Sequence, residues 1–341
     1  MPGAHDHSMA ITVPVTTQST QMTVSKELFN EQQNPSGNAE DAGSRRCCDN
    51  APTPCKANYT PVETPDIDPA LLRTTVPAQA RRAINRCNLP PDALASLAFQ
   101  LGPRALELDG VLPLHRPLFD RLDELENAAE RAALFQSYMT AHFLLDDAPA
   151  LGLSDTARIN RSKLDYLRLL RGWLFDSEGR EGAILKAWVE SRFGLLTGFH
   201  RRPLGELDTP AREAFDQEVA TGLYTTCALE AQIDLLYAWA QYEFGRRLPG
   251  RSHLLLYRGY SGAGALPRVG ELADGRVLVQ LNNLSSFSAD RERADEFGDR
   301  VLECRVPTAK VLAFSQLLPG RLQGEDEYLV IGGIAAVRWL S

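Results

Sequence analysis

Apolar positions along the chain fall into three regimes. Residues 1–65 keep to no period and are rich in Ser, Thr, Gln, Asn, Pro and Gly. Such a stretch cannot bury enough apolar area to offset the entropy of ordering, so a disordered N-terminal extension is expected. From 66 to 248 the apolar positions recur at helical spacing. "DIDPALL" offers Asp68 as N-cap and Pro69 at the first helical position. Leu118, Leu122, Leu125, Ala129, Ala132, Phe135, Met139 and Phe143 form one stripe and predict one continuous helix. "KLDYLRLLRGWLF" and "AILKAWVESRFGLL" repeat the pattern, and the run from Thr209 and Pro210 to Pro249 and Gly250 predicts one or two long helices. From 249 to 341 the period changes. "HLLLYRGY", "RVLVQLNNLSSFS", "RVLECRV", "KVLAFS", "EYLVIGG" and "AAVRWLS" are short apolar or alternating runs parted by Gly, Pro and Asp, and predict strands. A short helix is expected at about 289–297. The fold class is therefore α+β, a helical N-terminal half followed by a β-rich core.

Composition narrows the function classes. The net charge of −8 argues against a nucleic-acid binder, which more often carries a basic balance. No apolar run reaches the ~18 residues of a membrane span. The opening "MPGAHDHSMAITVPV" has no basic stretch followed by a long apolar one, so no leader is expected and the cytoplasm is the simplest compartment. Six cysteines in 341 residues do not make a disulfide scaffold. Cys47, Cys48 and Cys55 cluster, but with no fourth ligand nearby they read as exposed thiols in the extension.

Candidate chemistry sits in the β-rich part. In "GEDEYLVIGG" two glutamates, Glu325 and Glu327, flank an aspartate where a loop turns into a strand. If the strand begins by 325, both carboxylates share one face and call for a cation between or above them. The same triplet at Glu124 and Glu126 falls on a predicted helix, where i and i+2 diverge, and reads as solvated surface. Arg258 ends an apolar strand beside Gly259; an arginine there can fork onto a phosphate, and the glycine lets a ligand approach the backbone. Alone, it reads first as a solvated surface arginine, as most arginines are. Ser286, Phe287 and Ser288 end another strand, and Ser288 is placed to cap the following helix.

The order strand–Arg, Ser-x-Ser, loop–Glu-x-Glu–strand resembles the arginine–serine–glutamate class of mono-ADP-ribosyltransferases. The stretches "NLPPDALASLAFQ", "LELDGV", "LYRGY", "NNLSSFSADRERADEFGD" and "LLPGRLQGEDEYLVIGG" are similar to the NAD+–dinitrogen-reductase ADP-ribosyltransferase family over about 66–341. The resemblance implies an ADP-ribosyltransferase-type core with a mixed sheet and NAD+ as substrate, with no metal. It implies that Arg258 holds the NAD+ phosphates, that Ser286 orients Glu327, and that Glu327 bonds the nicotinamide ribose. Glu325 would serve the acceptor arginine. Phe287 stands where the class often has threonine, and Ser285 is an alternative to Ser286. Asn283 matches a weaker NAD+-contacting position, and Ser288 completes the set. The implied acceptor is an arginine of the nitrogenase iron protein, whose modification switches nitrogen fixation off, with PII signal proteins as coupled partners. The rivals are an NAD+ glycohydrolase, an arginine transferase with another target, and an inactive NAD-binding interaction module. His142 with Asp146 and Asp147, and His115, His200 and His253, show no metal-ligand spacing.

Overall fold

The structure is a computed structural model of the chain, and it describes residues 67–145, 165–223, 228–261, 266–321 and 326–340. The extension, with Cys47, Cys48 and Cys55, lies outside the described residues, as do Asp146, Asp147 and Glu325.

Short helices come first: α1 (Pro69–Leu72), α2 (Pro91–Leu94), α3 (Leu97–Leu101), α4 (Val111–Leu114) and α5 (Arg116–Asp123). Longer ones follow: α6 (Ala128–His142), α7 (Tyr166–Phe175), α8 (Arg180–Phe193), α9 (Pro210–Leu223) and α10 (Leu229–Arg247). A small hairpin, β1 (Phe199–His200) and β2 (Arg202–Pro203), separates α8 from α9. The sheet holds β3 (His253–Tyr260), β4 (Arg268–Glu271), β5 (Val277–Ser288), β6 (Arg300–Pro307), β7 (Val311–Phe314) and β8 (Glu327–Leu340), with α11 (Arg291–Asp295) between β5 and β6. The α+β arrangement is the one the apolar periods predict. Among the described residues no helix is long and apolar enough to cross a membrane.

Local chemistry explains the boundaries. Asp68 caps α1 through the Ala70 N–H at 2.8 Å, with Pro69 at the first helical position. Thr209 Oγ1 accepts from Arg212 N at 3.2 Å and starts α9. The stripe from Leu118 to Phe143 is two helices, not one. The chain breaks after Asp123, and the Asn127 side chain restarts it by accepting from Ala129 N at 2.7 Å. Glu124 and Glu126 are exposed, at that break rather than on a helix face.

The sheet is antiparallel at each of its pairings, a correction to the mixed sheet expected. β8 is a single 14-residue strand where two runs were read. β5 lies along it from Val277↔Val337 to Ser288↔Glu327. β6 and β7 join its other edge, at Val301↔Leu340 and Phe314↔Tyr328. β3 runs along β6 and touches β5 at one pair, Tyr257↔Ser288. β5, β3, β6 and β8 therefore pair in a closed order, and the ends of β3 and β5 meet the start of β8.

A bulge in β5 between Leu281 and Leu284 breaks its register with β8. Asn282 and Asn283 occupy it. Asn282 Nδ2 donates to Phe199 O at 3.0 Å, and its Oδ1 accepts from Gly198 N at 3.0 Å. Asn283 Nδ2 donates to the carbonyls of Lys186 at 2.8 Å and Leu195 at 3.2 Å. The bulge is thus the seat of α8 on the sheet. Gly332 is required opposite it: a Cβ there would stand 1.9 Å from the Asn282 carbonyl oxygen. One hydrophobic core runs through both parts, from Phe135, Trp188 and Trp239 of the helices to Leu284 and Ile331 of the sheet.

Candidate active site

The strand register assembles the site. Ser288 pairs with Tyr257 of β3 and with Glu327 of β8, so three strands converge at one point. Ser286 and Ser288 are i and i+2 on β5 and face the same way. Residues directly opposite each other in an antiparallel pair share a face, which brings Glu327 and Leu329 to that side as well. Ser285 and Phe287 take the other side, and both are buried. Ser286, not Ser285, therefore stands with Glu327.

Between these strand ends and the C-terminal end of α7 lies a cleft of about 590 Å³, within the usual range of a small-molecule site. Tyr257, Arg258, Gly259, Ser286, Ser288 and Glu327 form its sheet side. Arg293 and Ala294 of α11, with Phe297 beyond it, border one edge; the opposite wall runs from Trp173 to Ser177.

Each side chain has a definite placement. Arg258 Nη1 donates to the Ser286 carbonyl at 2.7 Å, and its guanidinium lies 5.1 Å from the Tyr260 ring centroid. Its Nε is buried and has no hydrogen-bond partner among the described residues. A half-buried guanidinium that lines a cleft suits an oxyanion ligand. Trp173, 2% exposed, donates its indole N–H to Ser286 Oγ at 2.8 Å and to Glu327 Oε1 at 3.2 Å. The N–H is shared between the hydroxyl and the carboxylate.

The turn into β8 is specific too. The strand begins at Glu327, and Asp326 before it has φ 41°, a left-handed value that aspartate tolerates better than most residues. The face-sharing expected of the two glutamates involves Glu325, which lies outside the described residues.

The profile of the family described as "Dinitrogenase reductase ADP-ribosyltransferase" matches residues 84–339. The NAD(+)--dinitrogen-reductase ADP-D-ribosyltransferase of Rhodospirillum rubrum is 40% identical over 256 residues, covering 73% of this chain and 91% of the relative. The chain belongs to the dinitrogenase reductase ADP-ribosyltransferase family. No solved structure matches it.

Within this family member the residues singled out from sequence divide into three groups. Arg258, Gly259, Ser286, Ser288 and Glu327 share the cleft. Asn283 does not line it; it is 2% exposed and spends its amide on α8 and Leu195. Glu325 lies outside the described residues. Two local readings change. Ser288 does not cap α11: Asp290 does, accepting from Glu292 N at 2.8 Å, while Ser288 Oγ accepts from Asp290 N at 3.0 Å. Gly259 is packed under α11, where a Cβ would stand 2.1 Å from the Ala294 carbonyl oxygen. Trp173 carries no such signal in the sequence, since an apolar residue on an amphipathic helix reads as core, and this one is also core. Among the described residues no cluster of His, Cys, Asp or Glu could hold a metal ion. His115 is buried against Tyr138, with its Nδ1 3.0 Å from the phenol oxygen; burial, helped by nearby His142, pulls its pKa down to about 4 against the opposing effect of Asp234.

Proposed function

We propose that this chain transfers the ADP-ribose of NAD+ to dinitrogenase reductase, the nitrogenase iron protein, at an arginine side chain, and so inactivates it. Family membership supports the reaction class. The observation that carries the assignment of residues is the meeting of Arg258, Ser286 and Glu327 in one cleft.

The chemistry follows from the groups present. The bond from nicotinamide nitrogen to the ribose anomeric carbon breaks, nicotinamide leaves with the electron pair, and the ribose acquires oxocarbenium character. Glu327 sets a fixed negative charge beside that developing cation and accepts a hydrogen bond from the ribose hydroxyl, which favours the transition state over the ground state. Arg258, which lines the cleft, holds the pyrophosphate, so binding energy orients the ribose. An acceptor guanidinium nitrogen then bonds to the anomeric carbon and gives up a proton. Arginine has a pKa above 12, so that proton needs an acceptor, and Glu325 takes this role. The reaction belongs in the cytoplasm with its acceptor, and a PII-type signal protein is the partner that couples it to nitrogen supply.

Labelled NAD+ and purified dinitrogenase reductase test the reading. Wild-type protein is expected to label the acceptor and to leave an acceptor with its target arginine changed to alanine unlabelled. Glu327→Gln keeps the side-chain volume and loses the charge; transfer should fall by about a hundredfold or more while the fold is kept. Retention of activity removes Glu327 from the mechanism. Glu325→Gln should lower transfer more than NAD+ hydrolysis; equal losses would assign Glu325 to NAD+ instead of the acceptor. Nicotinamide release with no labelled acceptor would make the chain a glycohydrolase or a transferase with a different target.

A further inference from the structure

The cleft poses a problem of placement. A carboxylate that must face a developing cation has to be held still without being neutralised. A charged donor can hold such a group, at the cost of part of the field that the reaction needs. A neutral donor avoids this. The indole N–H donates only, carries no charge and does not titrate.

We propose that Trp173 is a positioning residue for Glu327, an inference that rests on the transferase reading above. Its N–H reaches Glu327 Oε1 at 3.2 Å and Ser286 Oγ at 2.8 Å, so one donor fixes the carboxylate relative to the serine. Because Ser286 Oγ accepts this hydrogen, its own hydroxyl proton stays available for an oxygen acceptor in the cleft.

The indole is itself held in place. The Lys186 ammonium, on an almost completely buried side chain, stands 5.8 Å from the ring centroid. That ammonium is fixed by Glu178 Oε1 at 2.7 Å, with the Phe199 carbonyl at 3.4 Å and His200 Nδ1 at 3.3 Å. The Lys186 carbonyl is bonded by Asn283 at 2.8 Å, and Asn283 lies on the same strand as Ser286. The contacts close a circuit: Ser286 to Trp173, Trp173 to Lys186, Lys186 to Asn283, and back along β5. The helical half therefore does more than cover the sheet, because α7 supplies the donor and α8 supports it. Glu327 stands at the first position of its strand, just after a left-handed residue and paired with Ser288.

Two substitutions remove the N–H, one with loss of ring volume and one at nearly constant shape. Trp173→Phe keeps an aromatic ring beneath Lys186, and β-(3-benzothienyl)alanine at position 173 keeps the indole shape with sulfur in place of nitrogen. With NAD+ and dinitrogenase reductase, kcat should fall about 10- to 100-fold in both, the size expected for one hydrogen bond to a charged group. KM for NAD+ should stay within about threefold, because Arg258 is untouched. Combined with Ser286→Ala, the loss should be smaller than the product of the two single losses, since both act on the same carboxylate. Wild-type kcat in the benzothienyl variant overturns the inference. So does a rise in KM with kcat unchanged, or losses that multiply in the double variant. An inert wild-type protein would instead remove the transferase reading and this inference with it.

Discussion

A Cβ at Gly259 would stand 2.1 Å from the Ala294 carbonyl oxygen and 3.0 Å from the Phe297 carbonyl carbon. Both are backbone atoms at the end of α11 and cannot swing aside. The glycine next to Arg258 is thus needed for a close packing of helix on strand, and Gly298 meets the Tyr260 backbone in the same way, at 2.2 Å. This differs from the reading in which the glycine leaves room for a ligand, and the two readings predict different data. If packing decides, Gly259→Ala should lower stability by about 1–3 kcal/mol, the usual cost of overpacking. Its melting temperature should drop, with losses in kcat and KM that follow the displacement of α11. If ligand approach decides, KM for NAD+ should rise at unchanged melting temperature. Thermal denaturation beside steady-state kinetics on the one variant separates these outcomes.

Elements were legible where a local signal and a tertiary demand agree. The strand carrying Arg258 matches the run 253–260, which passes through a glycine the fold also needs and ends at Tyr260. The start of α9 was legible because Thr209 and Pro210 act locally. The break between α5 and α6 had a signal that the apolar stripe overrode: Asn127 is followed three residues later by Glu130, the spacing of a capping box. β8 was read as two runs because Gly332 and Gly333 look like a turn, whereas they lie in mid-strand opposite the Asn282–Asn283 bulge. That fit depends on a partner strand and has no trace in the local pattern. The site divides in the same way. Arg258, Ser286 and Glu327 lie at strand ends in an order that sequence displays. Trp173 joins them from a helix 113 residues away from Ser286 and 154 from Glu327, and no periodicity announces such a contact.

At the scale of the whole molecule the fold encloses a cationic group that its unfolded chain would leave in water. Lys310 is 3% exposed; its Nζ donates to the Gly332 carbonyl at 2.8 Å and lies 5.4 Å from the Phe99 ring centroid. Burial lowers its pKa from 10.5 to about 7, against a smaller opposing effect of Cys304. Between those two values the unfolded chain holds a proton that the folded chain has released, so unfolding takes up a proton and stability rises with pH. Below about pH 7 both states are charged and the full penalty of enclosing the charge is present. Other groups bound the useful window. His115, His200 and His253 are all shifted down by burial, so they cost stability as pH falls below the ordinary histidine value of 6.5. Burial pushes Cys304 up from 9.0 to about 12, so above pH 9 the unfolded thiol ionises first and offsets the rise that Lys310 supplies. Between pH 7 and 9 Lys310 therefore carries a rise of up to about 1.4 kcal/mol per pH unit. Lys186, also lowered by burial against the pull of Glu178, acts in the same direction. Urea denaturation at pH 7, 8 and 9 should show the unfolding free energy increasing with pH. In Lys310→Met the slope should shrink by up to one proton's worth, leaving what Lys186 supplies. An unchanged slope in that variant would mean that the folded protein keeps Lys310 charged across this range, with its enclosed ammonium stabilised by more than the Gly332 carbonyl and the Phe99 ring.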